Sequence, residues 1–119
     1  MKDFRNLQVW QKAHKVVLDV YKCTKHFPSE EIYGMTRQMR TAASSVPINI
    51  AEGCGRGSDA DLRRFLQMAM GSTSELEYQL QLSCELQYLS PSIYAPLNEN
   101  VVEVKKMLSG LMKKLRSNH

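Results

Sequence analysis

The residue types best suited to chemistry lie close together between Asn49 and Ser58, in the segment NIAEGCGRGS. Three glycines alternate there with Cys54 and Arg56. A glycine-rich loop can hold phosphate when it follows a strand and is completed by a lysine. Here a helical pattern precedes the glycines and no lysine follows them. The segment therefore does not predict a nucleotide-binding loop.

The same segment is predicted to form the corner between two helices. Gly53 suits a helix end, where a left-handed backbone is needed, and the later glycines let the chain reverse. Glu52 would stand at the carboxyl end of its helix, where the dipole disfavours negative charge. Arg56 is the nearest partner, four positions on, although we expect the intervening glycines to prevent a normal helical ion pair. We expect the corner residues to lock the corner or to contact another subunit: Asn49, Glu52, Gly53, Arg56 and Ser58.

No constellation in the sequence indicates catalysis. Four-helix bundles that bind two metal ions use Glu-x-x-His pairs, and none of the three histidines follows a glutamate at that spacing. The three cysteines have no CxxC spacing, so we expect each of them to be a small side chain that packs in the core. An enzyme would need a pocket into which several polar groups point, and no motif in the sequence indicates such a pocket. The sequence therefore predicts no enzymatic activity, no metal site and no cofactor.

Helical periodicity must position all of these residues. Apolar side chains recur at spacings of 3 and 4 from Leu97 to Leu115, and similar stripes run from Val9 to Phe27, Met39 to Ile50 and Leu62 to Leu80. The third helix is predicted to run from Ser58 to about Leu89. No segment alternates as a strand does. Short connections between four helices imply antiparallel neighbours. We predict an all-α fold, an antiparallel up-and-down four-helix bundle, as a single domain over residues 1–119.

The composition is that of an ordinary soluble domain, with 43% apolar and 24% charged residues. No run approaches the roughly 20 apolar residues that span a membrane. The start of the sequence lacks the apolar core of a signal peptide. An odd number of cysteines fits a reducing compartment. We predict a soluble, cytoplasmic protein that does not enter a membrane.

Charge is unevenly distributed along the chain. Residues 1–27 contain six basic and two acidic residues, and residues 91–119 contain five basic and two acidic residues. Residues 58–90, by contrast, contain two basic and five acidic residues. In an antiparallel bundle the first and last helices are neighbours, so their lysines would share a face that attracts polyanions. The alternative is a solvated face that only keeps the protein soluble. The candidate nucleic-acid-binding residues are Lys12, Lys15, Lys22, Arg37, Arg40, Lys113 and Arg116.

Two of the predicted helices are apolar on more than one side. The first helix adds a line through Trp10 and Leu18, and the third adds Met68 and Leu86. A small bundle normally keeps one face of each helix polar, so the second lines indicate self-association. The alternative is a wider core.

Several motifs in order resemble one bacterial family: LQVWQKA, YGMTRQMRTAASSVPINIAEG, GRGS and FLQMAMGSTSEL. Over about residues 4–115 the chain resembles the four-helix-bundle family encoded in intervening sequences of large-subunit ribosomal RNA genes. That family resembles the pentameric accessory protein of diversity-generating retroelements. The resemblance implies an up-and-down bundle, a homopentameric ring and no known catalytic activity. As partners it implies RNA or DNA, and a reverse transcriptase or another protein.

These observations predict a non-enzymatic, oligomeric helical bundle that binds nucleic acid through a basic surface. The alternative is a protein–protein adaptor or scaffold ring that binds no nucleic acid. The two differ in salt dependence, because binding of nucleic acid weakens steeply as salt rises.

Overall fold

The structure, a computed structural model, describes residues 3–117, and most of this range is helical. Its four long helices are α1 (Gln8–Thr24), α2 (Met35–Cys54), α3 (Asp59–Glu85) and α4 (Pro91–Ser117). Short 3₁₀ helices at Phe4–Asn6 and Ser29–Glu31 precede α1 and α2. Residues 3–117 contain no strand, so the predicted all-α fold is confirmed. The predicted domain, residues 1–119, extends at both ends beyond the described residues.

The helices form a closed ring of neighbours. Each helix packs against the next one in the chain, and α4 packs against α1. Within residues 3–117 the diagonal pairs, α1 with α3 and α2 with α4, make no close backbone approach. Short connections make neighbouring helices antiparallel, which is the up-and-down bundle. The basic first and last helices are therefore adjacent, and α1 lies diagonally across from the acidic α3.

The apolar stripes meet in a single core. Val20, Ile50, Leu80 and Leu108, one from each long helix, are completely buried. Removing one such side chain from water contributes about 1.5–3 kcal/mol to folding. The spacing of 3 and 4 puts these residues on one side of each helix, and burial of that side sets the rotation of the helix about its axis.

Two helices end earlier than the periodicity predicts. α1 ends at Thr24, before Phe27, and α3 ends at Glu85 although its apolar pattern continues to Leu89. Gln87 has a left-handed backbone, with φ of 66°. Its N–H donates to Cys84 O at 3.0 Å, and the N–H of the next residue donates to Ser83 O at 2.9 Å. These two bonds are those of a Schellman motif, which closes the helix without a glycine.

The carboxylate of Glu31 joins the two loops at one end of the bundle. It accepts a hydrogen bond from the Met35 N–H at 3.0 Å, which caps the start of α2. It also accepts one from the Tyr88 hydroxyl, in the loop between α3 and α4, at 2.8 Å. The Tyr88 ring packs against Phe27, with centroids 5.5 Å apart. The Met35 N–H, and after it the Tyr88 hydroxyl, lower the pKa of Glu31 below its ordinary value of 4.5.

The effect of pH on stability should reveal this contact. Because the pKa of Glu31 is lowered in the folded state, its contribution is present above pH 4.5 and is lost as the pH falls through the folded value. We expect Glu31→Gln to be less stable than the unmodified protein near neutral pH, with the difference shrinking in acid. Urea unfolding at several pH values measures this.

A neighbouring carboxylate provides the matched control. Glu30 is exposed and lies beside Glu31 in the same 3₁₀ helix. Glu30→Gln should retain the acid sensitivity of the unmodified protein. A stability difference for Glu31→Gln that does not change with pH would contradict the assignment.

Candidate nucleic-acid interface

The glycine corner is built around a close approach of α2 and α3. Gly53 lies inside α2 and is buried. A Cβ atom at Gly53 would come within 2.9 Å of Leu62 Cδ1 and 2.9 Å of Phe65 Cβ. No glycine in residues 3–117 has a positive φ, so the expected left-handed cap at Gly53 is wrong. Glycine is needed there because the neighbouring helix occupies the space of a side chain.

The other corner residues make local contacts at the junction. The Arg56 guanidinium lies 3.1 Å from the Glu52 carboxylate, so the expectation that the glycines prevent a helical ion pair is wrong. The helical turn continues far enough for this, since the Gly55 N–H bonds back to Ala51 O. Ser58 is the N-cap of α3, and its hydroxyl accepts a hydrogen bond from the Asp61 N–H at 3.2 Å.

Asn49 belongs to a polar link between α2 and α3. Its amide donates to Ser45 O at 2.8 Å and to Ser45 Oγ at 3.0 Å. The Ser45 hydroxyl in turn lies 2.9 Å from the Ser72 hydroxyl on α3. The contact between Ser45 and Ser72 thus links α2 to α3, and Asn49 supports Ser45 from within α2. A contact between the corner and another subunit stays a prediction.

Substitution of two glycines by alanine tests the corner. We expect Gly53→Ala to lower the free energy of unfolding by about 1–3 kcal/mol, because its methyl group overpacks the helix contact. Gly57 provides the control, since a Cβ there meets nothing within 4 Å. Gly57→Ala should be neutral or stabilise by up to about 1 kcal/mol through the unfolded state. Urea unfolding of both variants decides, and equal effects would contradict the steric explanation.

Three of the predicted nucleic-acid-binding residues lie along the seam between α1 and α4. Lys12 and Lys15 line a groove of about 430 Å³ that also contains Glu103. Lys15 and Lys22 line a second groove of about 450 Å³. Asp19 lies in that groove, with its carboxylate 3.3 Å from the Lys15 ammonium. Carboxylates thus offset part of the positive charge along this seam.

The basic residues of α4 do not join this group. Lys113 and Arg116 are exposed on its last turns. Lys22 lies beside Pro96, near the start of α4. At about 1.5 Å of rise per residue, Arg116 is about 30 Å further along the helix. The structure therefore spreads these cations along the molecule.

Arg37 and Arg40 belong to α2 and line a groove of about 250 Å³ between α1 and α2. We call it the arginine groove. This groove and the seam with α4 lie on different sides of α1. Ile32 forms an apolar edge. Its polar lining consists of Tyr21, Thr36, Arg37, Arg40, Thr41 and Ser44. None of these lining residues is acidic, in contrast to the seam between α1 and α4.

The two arginines of the groove are held differently. Arg40 Nε donates to Thr24 Oγ1 at 2.9 Å, and Arg40 Nη2 donates to Tyr21 O at 3.3 Å. Its guanidinium lies over the Tyr21 ring, 4.6 Å from the ring centroid. The Arg37 side chain is exposed and makes no hydrogen bond or ion pair with any residue in the range 3–117. Arg40 is thus fixed against α1, whereas Arg37 is available to a ligand.

Hydroxyl groups complete the groove. Thr36 is buried, with 5% of its surface exposed, and its Oγ1 finds no hydrogen-bond partner among the described residues. Ser44 Oγ donates to Arg40 O at 2.6 Å. Sequence reasoning missed these hydroxyls. The available signal was the helical spacing of Thr36, Arg40 and Ser44, which places them on one side of α2.

This arrangement is suited to binding anions. Guanidinium groups match the geometry of phosphate, and hydroxyls add hydrogen bonds to its oxygens. No histidine, cysteine or carboxylate lines the groove. Cys23 lies instead in the seam between α1 and α4, where burial raises the pKa of its thiol to about 11. Residues 3–117 contain no cluster of three or more side chains able to hold a metal ion. None of their helices is long and apolar enough to span a membrane.

Fold and groove together define a four-helix bundle with a groove between α1 and α2 that is lined by two arginines and by no carboxylate. Residues 5–110 match the family model of the 23S rRNA-intervening sequence protein. The chain belongs to that family, which confirms the resemblance seen in its motifs.

A solved structure shares the fold. It is a crystal structure of a protein with unknown function from the S23 ribosomal protein family of Bacteroides thetaiotaomicron. The two chains are 25% identical, with a TM-score of 0.79, over 88% of this chain and 98% of the other. Among curated proteins, none matches the chain.

Proposed function

We propose that this protein binds RNA or DNA without catalysis, through a basic surface centred on the arginine groove. The observation that carries the proposal is the pairing of Arg37 and Arg40 in a groove whose lining contains no carboxylate. Membership of a family named for a ribosomal RNA intervening sequence supports nucleic acid as the ligand.

The charges around α1 support the same ligand. α1 lies between the arginine groove and the seam with Lys12, Lys15 and Lys22, so a strand that crosses α1 contacts both. The acidic helix α3 lies diagonally opposite, which directs a polyanion toward the α1 side. Lys113 and Arg116 are contacts for a longer nucleic acid only, because of their distance along α4.

Binding across a salt series tests this function. We expect a labelled RNA or DNA oligonucleotide to bind at low salt, with log K falling linearly as log salt concentration rises. Arg37→Gln should weaken binding and reduce the magnitude of that slope by about 0.7–0.9, since one phosphate contact is lost. Fluorescence anisotropy measures both quantities.

Arg63 provides the matched control. Arg63→Gln removes the same charge from α3 and should leave affinity and slope unchanged. Combined charge reversal at Lys12, Lys15, Lys22 and Arg116 should abolish binding. Absence of binding to structured RNA, single-stranded DNA and duplex DNA at low salt would contradict the proposed function.

A second proposal concerns assembly, and exposed apolar side chains support it. Leu18 on α1, Ile48 on α2, Met68 on α3 and Leu86, directly after α3, are each about half exposed. Apolar surface of this kind is typical of protein interfaces. We propose a homopentameric ring, which would present five arginine grooves to one nucleic acid and strengthen weak contacts through effective concentration. A ring that instead presents helices to a reverse transcriptase or another protein is the alternative function.

Light scattering tests the assembly. We expect a particle of five times the chain mass of 13.6 kDa. Met68→Glu should reduce that mass, because it places a charge in the buried interface. Gln67→Glu adds the same charge at the adjacent exposed position and should leave the ring intact. A monomer of the unmodified protein at micromolar concentration would refute the ring.

We also propose a cytoplasmic location. Its support is the state of Cys23, Cys54 and Cys84, which form no disulfide bond with one another. Cysteines that stay reduced are typical of the cytosol.

A further inference from the structure

We propose that the arginine groove selects an unpaired nucleotide of a single strand, with the phosphate at the start of α2 and the base against the Tyr21 ring and the Arg40 guanidinium that lies over it. The inference rests on the proposed function and names the form of nucleic acid that the groove takes. Its support is the different character of the two ends of the groove.

The phosphate end lies at the first turn of α2. The Met35 N–H is occupied by Glu31, but the next two amides, of Thr36 and Arg37, donate to no acceptor in residues 3–117. Such amides at a helix start carry the positive end of the helix dipole and are suited to binding phosphate. The Arg37 guanidinium projects from the same turn and lines the groove. Three donors of positive character thus lie within two residues.

Thr36 supplies an independent indication of a ligand. Its side chain lines the groove, and its buried Oγ1 has no partner among the described residues. A buried hydroxyl without a hydrogen bond is unfavourable unless a partner arrives. A phosphate oxygen held by Arg37 and the helix start would provide that partner.

The base end is a flat surface. Tyr21 is 42% exposed, and the Arg40 guanidinium lies over its ring. The bonds to Thr24 and to the Tyr21 carbonyl keep that guanidinium in place. Unpaired bases stack on aromatic rings and on guanidinium planes, whatever their sequence. The bases of a duplex are already stacked on each other and cannot reach this surface.

The size of the groove agrees with this selection. At about 250 Å³, it lies below the usual range of about 300–1,000 Å³ for small-molecule sites. In the proposed complex, a segment of one strand lies between α1 and α2. A duplex would touch only the rim, through its phosphates, and its binding would depend on Arg37 but not on Tyr21.

The experiment compares a labelled single-stranded DNA with the duplex of the same sequence, by fluorescence anisotropy at fixed low salt. We expect the single strand to bind more tightly. Tyr21→Leu should weaken its binding about tenfold, in line with the loss of one stacked base, and should leave duplex binding unchanged. Tyr21→Phe keeps the ring and should bind like the unmodified protein.

Two further variants keep the test independent of folding. Thr36→Val replaces an unpartnered hydroxyl by a methyl group, so the fold should be at least as stable, while affinity for the single strand falls. Tyr78→Leu removes an exposed tyrosine from α3 and should leave binding unchanged. Thermal unfolding of each variant checks that the bundle is intact.

The outcomes separate this inference from the proposed function. Duplex binding as tight as single-strand binding would overturn the selection and leave nucleic-acid binding standing. An equal loss for Tyr21→Leu and Tyr78→Leu, or unchanged binding by Tyr21→Leu and Thr36→Val, would also overturn it. Failure of both probes to bind refutes the proposed function and this inference with it.

Discussion

The close contact between α2 and α3 is the constraint on which the rest of the bundle depends. These two helices share the most extensive contact in the structure. Gly53 permits the approach at one end, and the hydroxyls of Ser45 and Ser72 meet across the interface further along. With α2 fixed on α3, an adjacent side of α2 is directed at α1. That side carries Arg40, whose bonds to Tyr21 and Thr24 then close the arginine groove.

The helices could be predicted from the sequence because helical burial has a local period. The residues from Leu97 to Leu115 repeat at spacings that only a helix places on one side, and α4 contains them all. Some helix ends could not be predicted. Gln87 adopts a left-handed backbone, which the sequence signals only for residues such as glycine. Glu31, which caps α2, also accepts a hydrogen bond from Tyr88, a residue 57 positions away, and no local pattern contains such a partner.

Gly53 shows why a correct location need not give the correct reason. Glycine near the end of a predicted helix most often supplies a left-handed cap, and this is the role that local reasoning assigns. The structure assigns it to the space taken by Leu62 and Phe65, which belong to another helix. A single sequence contains the glycine but not the neighbour that requires it.

The candidate basic face could likewise be predicted only in part from the sequence. Segment charges predicted that α1 and α4 are the basic helices, and the fold confirms that they adjoin. Net charge does not show which side of a helix a charge occupies. Lys105 points to α3, where its ammonium lies 2.8 Å from the Glu77 carboxylate, and Asp19 lies beside Lys15 on the seam. The pair Arg37 and Arg40 was predicted from its spacing, but their different restraint depends on Thr24 and Tyr21 in another helix.

The difference in restraint between Arg40 and Arg37 explains how the two arginines would act on different parts of a ligand. Arg40 has already lost side-chain freedom to its contacts with α1, so a base that stacks there does not bear that entropic cost. Arg37 keeps its freedom and gives up part of it only when a phosphate binds. A fixed plane favours one geometry of ligand, whereas a mobile charge tolerates many positions of the phosphate. In the proposed complex, selectivity for unpaired bases therefore resides in Arg40 and Tyr21, and the salt-dependent part of the affinity resides in Arg37.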